Sequence, residues 1–330
     1  MMEQNTANRI AGCVYGQFIG DALGTRYEFA SAEGATRSVN EDMKAGFLHI
    51  KGEGPFDVLP GQVTDDTELA SALLHSLIRK GTYDREDIAQ GYIRWYKSNP
   101  FDIGTTTSGA FRHAVDYATM VENSTRRNDH SLSNGCLMRI SPLAVYGLRL
   151  SDAELVQKAQ ENCRMTNPNE LTQDAVAVYC VALKAALEGD NKGRIFRQAY
   201  DTSKNETIRS ILRDSRTSGS RILHPNEGYV KTDGSGMGYC GIALQNTFYE
   251  LMNGTSYHDS LVDIIKRGGD TDTNGCIAGA LLGAYYGINR IPDPWIRSVK
   301  ILNPRVERYP DVDQLHLDSH IKHLVEVVLQ

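Results

Sequence analysis

Apolar residues in this chain of 330 recur at intervals of three and four, and alternation at a period of two is scarce, so helices are predicted almost throughout. Leu69, Leu73 and Leu77 mark one face of a helix over 66–80, which Gly81 ends. Asp84 is placed to cap the next, where Ile88, Tyr92 and Tyr96 recur at every fourth position. Ser151-Asp152-Ala153-Glu154 is a capping box ahead of a helix that buries Leu155, Ala159 and Cys163. Ala175, Val178, Ala182, Leu183 and Ala186 belong to a long alanine-rich helix closed by Gly189. Further helices are predicted near 239–253, 257–267, 273–287 and 315–328, with Gly254 and Gly268 as stops. Two stretches, 33–61 and 201–235, read as irregular. The second is rich in Ser, Thr, Arg, Lys and Gly around the apolar pair Ile211-Leu212, and reads as a mobile surface excursion or a lid.

Glycines interrupt this pattern with a period of their own. Gly12, Gly16, Gly20 and Gly24 fall on one helical ridge, and Gly275, Gly279, Gly283 and Gly287 on another. A glycine inside a helix costs about 0.5–1 kcal/mol relative to alanine. Eight of them predict two helices whose backbones approach closely at the centre of the molecule.

Composition narrows the class. Forty-one per cent hydrophobic residues suffice for a core, and a formal net charge of −6 argues against a nucleic-acid partner held by electrostatics. Cys13, Cys136, Cys163, Cys180, Cys240 and Cys276 show no CxxC pairing and read as reduced core thiols. The uncharged run from Asn274 to Asn289 falls short of the roughly 20 residues that span a bilayer, so no membrane is expected. Asp21 and Arg26 interrupt any signal-peptide pattern, which makes the cytoplasm the expected location. No exposed heptad stripe suggests self-association, so a monomer is expected.

The candidate chemistry lies in two hard-oxygen clusters, Thr64-Asp65-Asp66-Thr67 and Gly268-Gly269-Asp270-Thr271-Asp272-Thr273-Asn274. Sets of Asp and Thr oxygens suit Mg²⁺ or Mn²⁺, whereas zinc usually takes nitrogen or sulfur. The charges of Asp65, Asp66, Asp270 and Asp272 match those of two divalent ions, favouring a dinuclear site. Each cluster also has a structural reading: Thr64 and Asp272 are natural N-caps, and Asp65 and Asp66 ordinary first-turn carboxylates. A site shared by clusters about two hundred positions apart requires the chain between them to fold back. One α-helical domain over 1–330 satisfies this, with a core at about 9–287 and a surface insertion at 201–235.

Taken in order, Gly20-Asp21-Ala22-Leu23-Gly24, Thr64-Asp65-Asp66-Thr67, Asn134-Gly135-Cys136-Leu137-Met138-Arg139 and Gly268-Gly269-Asp270-Thr271-Asp272-Thr273-Asn274 resemble the ADP-ribosylglycohydrolase family. The resemblance implies an all-α, orthogonal multi-helix bundle with a dinuclear Mg²⁺ or Mn²⁺ cleft. It implies Thr64, Asp65, Asp66, Asp270, Asp272 and Thr273 as metal ligands, with Asp65 or Asp66 moving protons. Glu28 and Asp102 would receive an arginine guanidinium at the cleft mouth; Asp102 reads equally as an Asx turn. Asn134 and Gly135, with Gly236, Gly238 and Tyr239, would approach the ADP-ribose, Tyr239 either stacking on adenine or packing in the core. Arg139 would pair with phosphate or serve as a buried structural partner. Where many members carry Thr-His, this chain has Thr166-Asn167, and Asn167 can donate a hydrogen bond but carries no proton at neutral pH.

The implied activity is hydrolysis of ADP-ribose from modified protein, most simply from arginine. Other ADP-ribosyl linkages, to serine, nucleic acid or an acetyl ester, are the alternatives within enzymes. An immunity protein that plugs a cognate ADP-ribosyltransferase is the alternative from another class. His316, His320 and His323 share one face of the last helix at i, i+4, i+7 and read as a surface face rather than a metal site.

Overall fold

The computed structural model describes residues 2–329, whose regular secondary structure is almost wholly helical. In chain order these are α1 (Met2–Gly24), α2 (Ala32–Asp42), α3 (Asp65–Lys80), α4 (Arg85–Lys97), α5 (Thr105–Phe111), α6 (Tyr117–Arg127), α7 (Ser141–Tyr146) and α8 (Asp152–Arg164). They continue as α9 (Glu170–Glu188), α10 (Lys192–Thr202), α11 (Glu206–Asp214), α12 (Cys240–Asn253), α13 (Tyr257–Lys266), α14 (Thr271–Tyr286), α15 (Asp293–Ser298) and α16 (Leu317–Leu329). A small antiparallel hairpin, β1 (Ile222–His224) and β2 (Gly228–Val230), pairs Ile222 with Val230 and His224 with Gly228.

The two glycine ridges meet. A Cβ on Gly12 would strike the carbonyl of Gly283, one on Gly16 that of Gly279, and one on Gly20 that of Gly275. α1 and α14 therefore lie antiparallel, backbone against backbone, through the middle of the molecule. Large side chains surround them: Tyr257 donates to the Gly16 carbonyl at 3.2 Å and Tyr179 to that of Ile277 at 2.8 Å. The pairing runs to the ends of the helices, where the Thr271 hydroxyl donates to the Gly24 carbonyl at 2.8 Å. The start of α14 is thereby fixed beside the end of α1.

The caps act as the sequence predicts at Asp84, which accepts from Glu86 and Asp87 N–H groups, and at Ser151, whose box with Glu154 is complete. Gly81 and Gly189 end their helices with positive φ. Both stretches expected to be irregular contain a helix. α2 starts at Ser31, whose hydroxyl accepts from Gly34 N–H, and buries Ala35 and Val39. α11 starts at Asn205, which accepts from Thr207 and Ile208, and buries Ile208, Ile211 and Leu212. Three apolar positions at helical spacing thus turn much of 201–235 into packed structure.

All six cysteines are free and buried. Among the described residues no helix is long and apolar enough to cross a membrane, and α14 instead lies buried against α1.

Candidate active site

Both hard-oxygen clusters open onto one cleft of about 390 Å³. Its walls carry Glu28, Asp65, Asp66, Asp102, Asp270 and Asp272, together with Thr273, Asn134, Gly135, Met237 and Gly238. Six carboxylates from four separate segments therefore face one space.

Thr64 takes the N-cap position of α3 with Asp65 and Asp66 in its first turn, as the structural reading expects, whereas the N-cap of α14 is Asp270 and not Asp272. Neither the Thr64 nor the Asp270 side chain makes a capping hydrogen bond. Thr64 is fully buried behind the cleft wall, and its hydroxyl links Asp21 at 3.1 Å to Asp66 at 3.2 Å. The capping of α3 comes instead from another helix. Asp21, fully buried in α1, accepts from the N–H of Thr64 and the N–H of Thr67, each at 3.1 Å. Sequence reasoning misses this role of Asp21, although a lone charge between Ile10 and Gly24 is the signal that points to it.

Glu28 reaches the cleft through a backbone exchange. Phe29 N–H donates to the Gly269 carbonyl and Gly269 N–H to the Ala30 carbonyl, both at 2.8 Å. Gly268 and Gly269 have φ of 68° and 78°, and a Cβ on either would strike a neighbouring carbonyl. Only glycine brings the two strands of backbone this close. Carboxylate oxygens of Glu28, Asp102 and Asp272 lie within 4.8 Å of one another, so the two expected guanidinium acceptors converge on one of the expected metal ligands.

Such crowding dictates the electrostatics. Burial, then the neighbouring charges of Asp270 and Asp102, pushes Glu28 up to about 9. Burial raises Asp102 to about 6 and Asp21 to about 7. Asp65, Asp66 and Asp272 are raised well above the usual carboxylate range, first by burial and then by other carboxylates. Glu28, Asp102 and Asp272 crowd together in a way that a shared proton relieves when no cation is present. Asp66 Oδ1 and Glu28 Oε2 are buried without a hydrogen-bond partner. Unpaired buried carboxylate oxygens in an all-oxygen donor set fit hard divalent cations.

The opposite wall is less open than the sequence suggests. Asn134 donates its backbone N–H to Gly238 at 2.9 Å and its side-chain amide to Asp270 at 2.8 Å, so it braces the site. Gly135 and Gly238 line the cleft, but Gly236 does not. Tyr239 packs in the core, donating to the Leu223 carbonyl at 3.2 Å, and offers no face for stacking. Asn167 is also out of reach: it is fully buried, with its amide donated to the Ser133 carbonyl and hydroxyl at 3.0 and 2.9 Å. It shapes the loop before Asn134. Arg139 is buried and structural, donating to the carbonyls of Gly135 at 2.7 Å and Asn162 at 3.0 Å. Of His316, His320 and His323, the first pairs with Asp313 at 2.8 Å and the second packs against His75.

The fold and this cleft together define an all-helical hydrolase scaffold. The ADP-ribosylglycohydrolase family model matches residues 2–323, and the chain belongs to that family. It is 28% identical over 303 residues to the ADP-ribosyl-dinitrogen reductase glycohydrolase of Rhodospirillum rubrum, with 91% of this chain and 92% of the relative covered. Identity is 26% over 334 residues to the ADP-ribosylarginine hydrolase Tri1 of Pseudomonas putida, covering 94% of this chain and 81% of the relative. The human ADP-ribosylhydrolase ARH3 is also 26% identical, over 361 residues, covering 95% and 93%. A solved structure of an ADP-ribosylglycohydrolase-related protein complex superposes with a TM-score of 0.71 at 27% identity, covering 96% of this chain and 99% of that one.

Proposed function

We propose that this chain hydrolyses the bond between the distal ribose of ADP-ribose and an arginine side chain of a modified protein. The observation that carries the reading is the convergence of Glu28 and Asp102 in a cleft of six carboxylates. A guanidinium is a planar cation that pairs with carboxylates through parallel hydrogen bonds. A neutral serine or ester linkage has no such need of paired acids.

Asp65, Asp66, Asp270, Asp272 and Thr273, which line the cleft, would hold two Mg²⁺ or Mn²⁺ ions, and Thr64, buried behind the wall, would steady Asp66 through its hydroxyl. When bound, the ions supply Lewis acidity toward water and ribose hydroxyls. Asp65 or Asp66, first-turn residues of α3 whose start Asp21 secures, would take a proton from the attacking water. Water adds to the ribose carbon as the carbon–nitrogen bond breaks, and the arginine nitrogen leaves with a proton. Glu28 and Asp102 orient that nitrogen. Gly135 and Gly238 leave the opposite wall open for the rest of ADP-ribose, while Asn134 keeps Asp270 in place.

The test is release of ADP-ribose from an arginine-ADP-ribosylated protein, with Mg²⁺, with chelator, and after Asp65→Ala and Asp270→Ala. Metal-dependent release that falls at least about a thousandfold in either variant is expected. Release from serine-linked but not arginine-linked substrate would replace arginine as the target. No release from any linkage would point to binding or plugging of a transferase.

A further inference from the structure

The two carboxylates at the cleft mouth each carry a phenylalanine beside them in sequence, Glu28-Phe29 and Phe101-Asp102. Phe29 and Phe101 are exposed, by 55% and 38%. Phe56 joins them into one aromatic rim, its ring centroid 6.2 Å from that of Phe29 and 5.7 Å from that of Phe101, each pair edge-on. Phe29 also lines the cleft.

The backbone of this rim is strained. Phe29, Glu53, Asp57 and Asn99 have φ of 64°, 64°, 50° and 56°, and they account for all but His113 of the non-glycine residues with positive φ among those described. Four such residues in the three short segments that present the phenylalanines mark a site built to hold a fixed shape. The supports are visible. Arg26 pairs with Glu53 and, at 2.8 Å, with Asp42, holding the Phe56 loop. Arg305 pairs with buried Glu68 at 2.6 Å, donates to the Asn99 carbonyl at 3.1 Å, and lies 6.0 Å from the Phe101 ring centre. One guanidinium already rests near the rim from inside the protein.

We propose that the Phe29–Phe56–Phe101 rim is the docking surface for the polypeptide that bears the modified side chain, and that it selects a basic segment. Aromatic faces attract guanidinium groups, and the carboxylates directly behind them add a negative field. An arginine flanking the modified one is the side chain this combination fits. The proposal rests on the arginine-directed reading and assigns that site its protein partner.

Two readouts test it on the full chain, using Phe29→Leu/Phe101→Leu, which keeps apolar bulk and removes the rings, and Phe29→Ser/Phe101→Ser. The first is the ratio of kcat/KM for arginine-ADP-ribosylated protein to that for free ADP-ribosyl-arginine. It should fall at least about fivefold in both variants through KM on the protein substrate. The second is anisotropy of a fluorescein-labelled peptide with three unmodified arginines, against a counterpart with glutamine at those positions. Wild type should prefer the arginine peptide, and both variants should lose most of that preference. Equal losses on the protein and the free substrate would overturn the docking role. Retained preference in the leucine variant would overturn recognition by the aromatic faces. The peptide readout does not depend on hydrolysis, so failure of the arginine reading and failure of the rim remain separate results.

Discussion

At the scale of single residues, the cleft stores repulsion that a cation or a proton must relieve. Glu28, Asp102 and Asp21 titrate near 9, 6 and 7 in the folded chain, against about 4 for carboxyls in an unfolded one. Between those values the folded state holds protons that the unfolded state has lost. Unfolding free energy of the metal-free protein therefore falls as pH rises from about 4 to about 9. Chelated protein should melt lower at pH 8.5 than at pH 5.5. Mg²⁺ replaces the protons, so it should raise the melting temperature more at pH 8.5, by about 5 °C or more. Thermal scans at both pH values, with Mg²⁺ and with chelator, read this directly; an equal Mg²⁺ effect at both would contradict it. The same residues show what a sequence conveys at this scale. That Asp65, Asp66, Asp270 and Asp272 share one cleft is legible, because residue type and pairing point to clustered oxygens. Asn167 and Tyr239 are not, because residue type does not reveal whether a side chain points into a cleft or behind its wall.

At the scale of elements, the α1–α14 pair is the frame on which the site hangs. It sets the end of α1, with Asp21, against the start of α14, and Asp21 in turn secures the start of α3. Gly16→Ala or Gly279→Ala would drive a methyl group into a facing carbonyl with only backbone to give way. Each should destabilise the protein by about 3 kcal/mol or more, since overpacking here moves two whole helices. Gly236→Ala meets nothing within 4 Å and should change stability by less than about 0.5 kcal/mol. Chemical denaturation of the three variants measures the contrast, and a tolerated Gly16→Ala would show that the helices are not in contact. The glycine period makes this pairing legible, because glycine repeated at every turn of a helix is worth its cost only where a second backbone presses against it. α2 and α11 are harder to see. Each is short, and α2 buries only Ala35 and Val39, too few positions to establish a period. The caps at Ser31 and Asn205 are the remaining signal.

At the scale of the whole molecule, charge distribution bears on the arginine-directed proposal. The chain carries a net −6, and six of its 41 acidic residues gather in one cleft. A field focused this way speeds the approach of a cation and does nothing for a neutral leaving group. Two bound divalent ions would offset much of this charge. Offsetting Asp270 removes part of what raises Glu28 and Asp102, the expected guanidinium acceptors, and as they lose their protons the mouth of the cleft would turn negative. With Mg²⁺ saturating, kcat/KM for an arginine-linked substrate should fall about tenfold between 20 mM and 500 mM salt, as the Debye length shrinks from roughly 20 Å to a few ångströms. Glu28→Gln and Asp102→Asn should flatten that dependence while lowering the low-salt value. A serine-linked substrate of the same protein should show little change across the series. Parallel salt series on both linkages, for wild type and the two variants, separate the cases. A salt slope that is the same for both linkages and survives both substitutions would mean that Glu28 and Asp102 receive no guanidinium, and would count against the arginine-directed proposal.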